Sequence, residues 1–178
     1  MRDNPLDRFV TEVRSAWGPL TSEMAARCVG AMEALACTPG EEPWLSAVEK
    51  RAAATEELHR DAQHGFLLLA HTECSGQYRP PHDHGRSWGI YAVVSGAIAM
   101  ATFARLEDEA GNIRLVQRDE SRLGPGQVKM FLPGDIHDTR CVAGPALELR
   151  FTERDLQTEN ATHHRITRYV QRDGRWTT

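Results

Sequence analysis

Arg79-Pro80-Pro81-His82-Asp83-His84-Gly85 is the stretch on which the reading of this chain turns. On an extended strand, residues i and i+2 project to the same face, so His82 and His84 present two imidazoles to one point without a bend in the backbone. Further along, Pro133-Gly134-Asp135-Ile136-His137 sets a third histidine on a later strand, just past a Pro-Gly turn. Three neutral imidazoles closing on one ion would leave about half of an octahedral shell open to water, O2 or substrate. Taken alone, a His-x-His is also what a solvated strand end looks like, so the weight falls on its surroundings.

Those surroundings are of a compact chain that handles small molecules. At 178 residues it is a little longer than one usual domain and shows no second composition regime, which predicts one domain with an appendage. The net charge is −4 and the basic residues, nearly all arginine, are interspersed with acids, arguing against a nucleic-acid or membrane surface. No apolar run reaches the length of a membrane span, and Met1-Arg2-Asp3-Asn4-Pro5 lacks the apolar core of a signal peptide, so a cytoplasmic location is expected. Cys28, Cys37, Cys74 and Cys141 form no CxxC pair and are expected to be reduced and mostly buried, with Cys74 and Cys141 as small apolar filler near the barrel. A monomer or homodimer is expected.

Residues 1–55 read as helical and 56–178 as a β-barrel. Leu6, Phe9, Val10, Val13 and Trp17 fall on one helical face that ends at Gly18-Pro19. A second helix starts near Thr21 or Ser22 and turns Met24, Cys28, Ala31, Met32 and Leu35 inward until Thr38-Pro39-Gly40; a short third holds Trp44, Leu45 and Val48. From Gly65 on, β-rich runs predict strands near 65–72, 89–95, 97–107, 112–118, 127–132, 138–142, 145–153 and 164–172, with hairpin turns at Ala110-Gly111-Asn112 and Asp173-Gly174. Two antiparallel sheets of this kind make a mainly β jelly-roll barrel, large enough inside for one metal and one small ligand.

Gly76, His82, Asp83, His84 and Gly96, followed by Gly126, Pro133-Gly134 and His137, resemble the two signatures of the cupin superfamily, whose fold is a double-stranded β-helix. The whole chain is similar to the cysteine dioxygenase-like thiol dioxygenases, on Trp44-Leu45, Leu58 to Asp61, Pro81-His82-Asp83-His84-Gly85 within its Pro-x-His-Asp-His-Gly motif, Trp88-Gly89 and Gly134-Asp135-Ile136-His137. The resemblance implies an Fe(II) ion held by His82, His84 and His137, with Ni, Zn or Cu possible as purified, and the use of O2 to oxidise a thiol to a sulfinate. Gly89 stands where many other cupins carry an acidic ligand, and this family likewise lacks one there.

The chain departs from the family in its substrate apparatus. The stretch Ala52 to Glu57 has no Arg or Gln to hold a substrate carboxylate, and a Ser-x-His-x-Tyr triad is replaced by Glu148, Arg150 and Thr152. Glu148 and Arg150 share strand parity and admit two readings: a self-neutralising structural pair, or a site in which Arg150 grips an acidic group of the ligand bidentately. Tyr91 is expected to face the cavity and hydrogen-bond an oxygen ligand there, or else to be a plain core tyrosine; Trp88 is expected as a lid or wall. Arg150, Glu148, Trp88 and Tyr91 are thus the candidate substrate-binding residues, with Tyr91 and Arg150 also candidates for catalysis. His71, Tyr78 and Arg79 are expected at the rim, and Asp83 and Asp135 as partners orienting the ligand imidazoles. The function this suggests is a mononuclear non-haem iron dioxygenase of a small thiol other than cysteine. A non-catalytic ligand-binding or sensing cupin, or a dioxygenase of a non-thiol substrate, is the alternative.

Overall fold

The computed structural model describes residues 4–172 and 174–178. Helix α1 (Pro5–Ala16) begins where the Asn4 side chain accepts from the Leu6 N–H at 3.0 Å, with Pro5 in the first turn where its missing N–H costs nothing. Helix α2 (Ser22–Ala36) is capped by Thr21, and α3 (Pro43–Arg51) by no side chain. The inward faces are the expected ones: Phe9, Val10, Val13, Met24, Cys28, Ala31, Met32, Leu35, Leu45 and Val48 are all buried.

Among the described residues nine strands follow: β1 (Glu56–Arg60), β2 (Leu67–Glu73), β3 (Tyr78–His82), β4 (Gly89–Glu107), β5 (Ile113–Leu123), β6 (Val128–Phe131), β7 (Ile136–Thr152), β8 (Val170–Arg172) and β9 (Arg175–Thr177). A helix not expected from the sequence, α4 (Leu156–His163), lies between β7 and β8. The architecture is the expected one, a mainly β jelly roll preceded by helices. Strands β4 and β7 pair antiparallel from Gly89↔Thr152 to Phe103↔Ile136, and the shorter strands attach to their two ends. The first part of β4 carries β6 on its free side, and its second part carries β5; β7 carries β3 early and β2 late.

Alternation decides what each strand faces. Leu68, Ala70, Ile90, Ala92, Leu147, Leu149 and Phe151 point outward and pack beneath the helices in one core. The opposite parity, with Tyr91 and Val93 joined by Ile98, Met100 and Phe131, fills the barrel. His71, Glu148 and Arg150 share that inward parity, which is how polar groups come to line the interior.

Four expectations are corrected. The segments 89–95 and 97–107 are one strand, as are 138–142 and 145–153, because Gly96 and the Gly144-Pro145 pair act as corners within long strands rather than as turns between strands. The run 164–172 is strand only at its end; the Asp155 carboxylate caps α4 by accepting from Gln157 and Thr158. Strands β1 and β3 went unseen, being short, polar or proline-bearing. The Ala110-Gly111-Asn112 hairpin is present, and β8 and β9 pair antiparallel around the other turn, whose Asp173 lies outside the described residues, as do Met1 to Asp3. Cys28 and Cys141 are buried but Cys37 and Cys74 are exposed, so Cys74 is not core filler; all are free thiols.

Gly96 has φ +77°, and a Cβ there would lie 2.5 Å from the Ala143 carbonyl oxygen and 2.6 Å from the Ala146 Cβ. Gly96→Ala is therefore expected to destabilise by roughly 2–4 kcal/mol, through left-handed strain plus a backbone clash. Gly30→Ala, in open space on α2, should instead be neutral or stabilising by up to about 1 kcal/mol. Chemical denaturation of the two variants compares them directly.

Candidate metal centre

Pairing of β3 with β7 puts His82 opposite His137, and the turn that follows brings His84 round beside them. One nitrogen from each ring lies within 4.8 Å of the others. The rings are held from outside the cluster. Phe131 stacks on His137 with centroids 3.8 Å apart and planes 11° from parallel. Nδ1 of His82 is 2.9 Å from the Pro80 carbonyl, which makes it the protonated nitrogen and leaves Nε2 as the free donor. The His84 ring rests against Gly89, where any Cβ would come within 3.1 Å of it. Gly89 itself offers no side-chain ligand, and the cluster is one of histidines only.

All three imidazoles are kept neutral, the form that donates to a metal. Burial lowers the pKa of His82, drives His84 down to about 3 and takes His137 well below its ordinary value. The arrangement is short of partners without a cation. The Tyr91 hydroxyl is 3.1 Å from Nε2 of His84 and 3.4 Å from Nε2 of His137, and with a single proton it can donate to only one of them. The remaining nitrogens of His84 and His137 are buried with no hydrogen-bond partner. Three converging, uncharged donors, of which the single Tyr91 proton can satisfy only one, fit a divalent ion.

His82 and His84 open onto a cavity of about 790 Å³ lined among others by Leu67, Leu69, His71 and Arg150, with His137 buried behind them. Tyr91 lies behind them, buried, and burial pushes its hydroxyl up to about 12, so it is a neutral donor. The nearby Arg150 guanidinium opposes that rise without reversing it. Glu148 does not pair with Arg150: its Oε1 is buried with no partner, and burial, reinforced by nearby Glu73, pushes its pKa up to about 8 against the pull of Arg150 and Arg79. The self-neutralising pair is therefore not formed.

Other candidates fall differently from expectation. Trp88 is not a pocket wall. It has the outward parity of Ile90 and sits 2% exposed among Trp17 and Phe151, between barrel and helices. Asp83 and Asp135 do not orient imidazoles through their carboxylates: Asp83 accepts from the Gly85 and Thr167 N–H groups, and Asp135 from Leu132. His71 is no rim residue but buried in the wall, 2.9 Å from the Thr55 hydroxyl, with burial driving its pKa down to about 3. Sequence reasoning missed Arg60 of β1, Asp155 at the cap of α4, and Arg168, all of which line the cavity. For Arg168 a signal existed in the alternation Ile166-Thr167-Arg168-Tyr169; for α4 it was the Asp155 cap.

No family model matches this chain, and no curated protein matches it in sequence. Similar solved structures include KdgF from Halomonas sp. (18% identity, 58% of this chain and 82% of that one, TM-score 0.46). The cupin domain of Schizosaccharomyces pombe Cnp3 is similar at 13% identity over 60% of this chain and 64% of that one, TM-score 0.44. An oxalate oxidase aligns at 18% identity over 56% and 50% of the two chains, TM-score 0.41.

His137→Ala is expected to empty the site, read as loss of bound metal by elemental analysis of otherwise folded protein. A second expectation concerns acid. Four buried imidazoles with depressed pKa values (His71, His82, His84 and His137) bind fewer protons folded than unfolded, so their contribution is present above about pH 6.5 and is lost as pH falls toward the folded values. Glu148, raised, works in the opposite direction but is outnumbered. Metal-free protein should accordingly lose stability between pH 7 and 5, by roughly 1 kcal/mol per pH unit per imidazole before the offset. Denaturant titrations at the two pH values measure it.

Proposed function

We propose that this chain is a mononuclear non-haem Fe(II) dioxygenase that uses O2 to convert a small thiol to its sulfinate, with free cysteine not the preferred substrate. The observation that carries this reading is the meeting of three neutral imidazoles, two of them (His82 and His84) in the wall of an open cavity, beside a buried, neutral tyrosine hydroxyl. His82, His84 and His137 would hold the ion. Bound iron would supply a redox-active Lewis acid able to gather thiol and O2 into one coordination sphere.

The chain's own groups do the rest. Tyr91 offers its proton at the edge of the cluster, where an oxygen atom of O2 or substrate would accept it; its raised pKa keeps that proton in place at neutral pH. Arg150, in the cavity wall, would bind an acidic group of the substrate and so fix its sulfur relative to the imidazoles. Leu67 and Leu69 supply an apolar wall, and His71 a neutral one. The preference against cysteine rests on the cavity: Arg60, next to the stretch where the family would hold its carboxylate, is already engaged by Glu57 and Asp155. The replacement of the triad by Glu148, Arg150 and Thr152 favours, as second reading, a dioxygenase of a non-thiol substrate or a binding and sensing role.

Fe(II)-loaded protein, tested with cysteine, cysteamine and 3-mercaptopropionate, should consume O2 and release a sulfinate from an acidic thiol in preference to cysteamine. Tyr91→Phe should lower turnover about 10- to 100-fold at unchanged iron content. Absence of O2 uptake with every thiol rejects thiol oxidation.

A further inference from the structure

Four arginines line the cavity, and they differ in what already holds them. Arg60 is paired with Glu57 at 2.7 Å and Asp155 at 2.9 Å, and Arg79 is paired with Glu73. Among the described residues, no carboxylate lies within ion-pair distance of Arg150 or Arg168. The acidic groups of the wall, Glu57 and Asp155, are both committed to Arg60. Glu148, the carboxyl two residues from Arg150, stays off it and is largely protonated at neutral pH because of its burial. Two positive charges thus face the same space without compensation.

They lie at different depths. Arg150 is an inner residue: it is half-buried, its Nε is buried without a partner, and its charge bears on Tyr91, His71, His82 and His84. Arg168 is exposed at the mouth, where its backbone forms a bridge with His82. Both charges bear on His82, so they flank one imidazole of the cluster from the inner and outer sides. An uncompensated guanidinium in a partly desolvated cavity is a binding site for an anion, and one acidic group cannot serve both. The volume of about 790 Å³ leaves room for a ligand that reaches from floor to mouth.

We propose that the site takes a small dianion, with one acidic group on Arg150 beside the histidines and the second on Arg168 at the mouth. The inference rests on the cavity being the substrate site of the dioxygenase proposed above, and it narrows the substrate to thiols carrying two acidic groups.

Matched ligands test it by calorimetry on the full, metal-loaded chain at low salt without O2. Mercaptosuccinate is compared with 3-mercaptopropionate, and succinate, which has no sulfur, with butyrate. The dianion of each pair is expected to bind about tenfold more tightly. Arg168→Met should bring each ratio to within about twofold, and Arg168→Glu should reverse the preference. Arg168 is exposed, so both variants are expected to melt with the wild type. Equal affinities within both pairs, or ratios that Arg168→Met leaves unmoved, overturn the proposal. A dianion preference in the sulfur-free pair without thiol turnover would uphold it while rejecting thiol oxidation; thiol turnover without a dianion preference would do the reverse.

Discussion

The direct pairing of His82 with His137 across β3 and β7 is the contact on which the site depends. A slip of one residue in that register would send one of the two imidazoles to the opposite face of the sheet. Two prolines just before His82 help to hold it. Pro80 and Pro81 have no N–H to give to the ladder, so β3 departs from regular pairing between Arg79 and His82 and then returns. Their carbonyls are put to other uses, Pro80 against Nδ1 of His82 and Pro81 as acceptor for the Tyr169 N–H at 2.8 Å. Local backbone chemistry thus sets both the position and the tautomer of one ligand.

The interior around this contact is mainly neutral: depressed histidines, an un-ionised tyrosine and a carboxyl that burial keeps protonated. A buried ion without a partner would cost several kcal/mol, which is why titratable groups here give up charge rather than carry it. Arginine cannot do so, because its pKa is too high. Arg150 is therefore a fixed charge among switchable ones, and its partner must come from outside the protein's own carboxylates. Glu148 answers the structural alternative: two residues apart on one face is close enough for influence but, in this strand, not for an ion pair.

Much of this was legible in the chain. The helical faces followed from periodicity alone, and the His-x-His with its downstream partner marked the cluster, although β3 ends at His82 and the turn after it, rather than strand parity, brings His84 in. Trp88 was misjudged for the same reason that Tyr91 was not. Trp88 directly precedes β4 and Tyr91 lies near its start, and the face each takes is settled by where the strand's alternation begins, which was not evident from the residues around Trp88. Glycine and proline misled at Gly96 and Gly144, since a residue that permits a turn equally permits a corner inside a strand. The wall formed by α4 and Arg168 was hidden because its place over the cavity is set by hydrogen bonds to residues more than eighty positions earlier.

Those bonds tie the end of the chain to the ligand loop. Asp83 accepts from Thr167 and donates its own N–H to the Thr167 carbonyl, while Gly85, at φ +61°, lies so close beneath Arg165 that a Cβ would come within 2.5 Å of its carbonyl oxygen. The segment between two ligating histidines and the segment that closes the cavity are thus parts of one cooperative unit. Whatever loosens the second also loosens the first, so hydrogen exchange at Asp83, Thr167 and Tyr169 should report a single opening free energy. Ion retention and access to the cavity are then governed by the same local fluctuation.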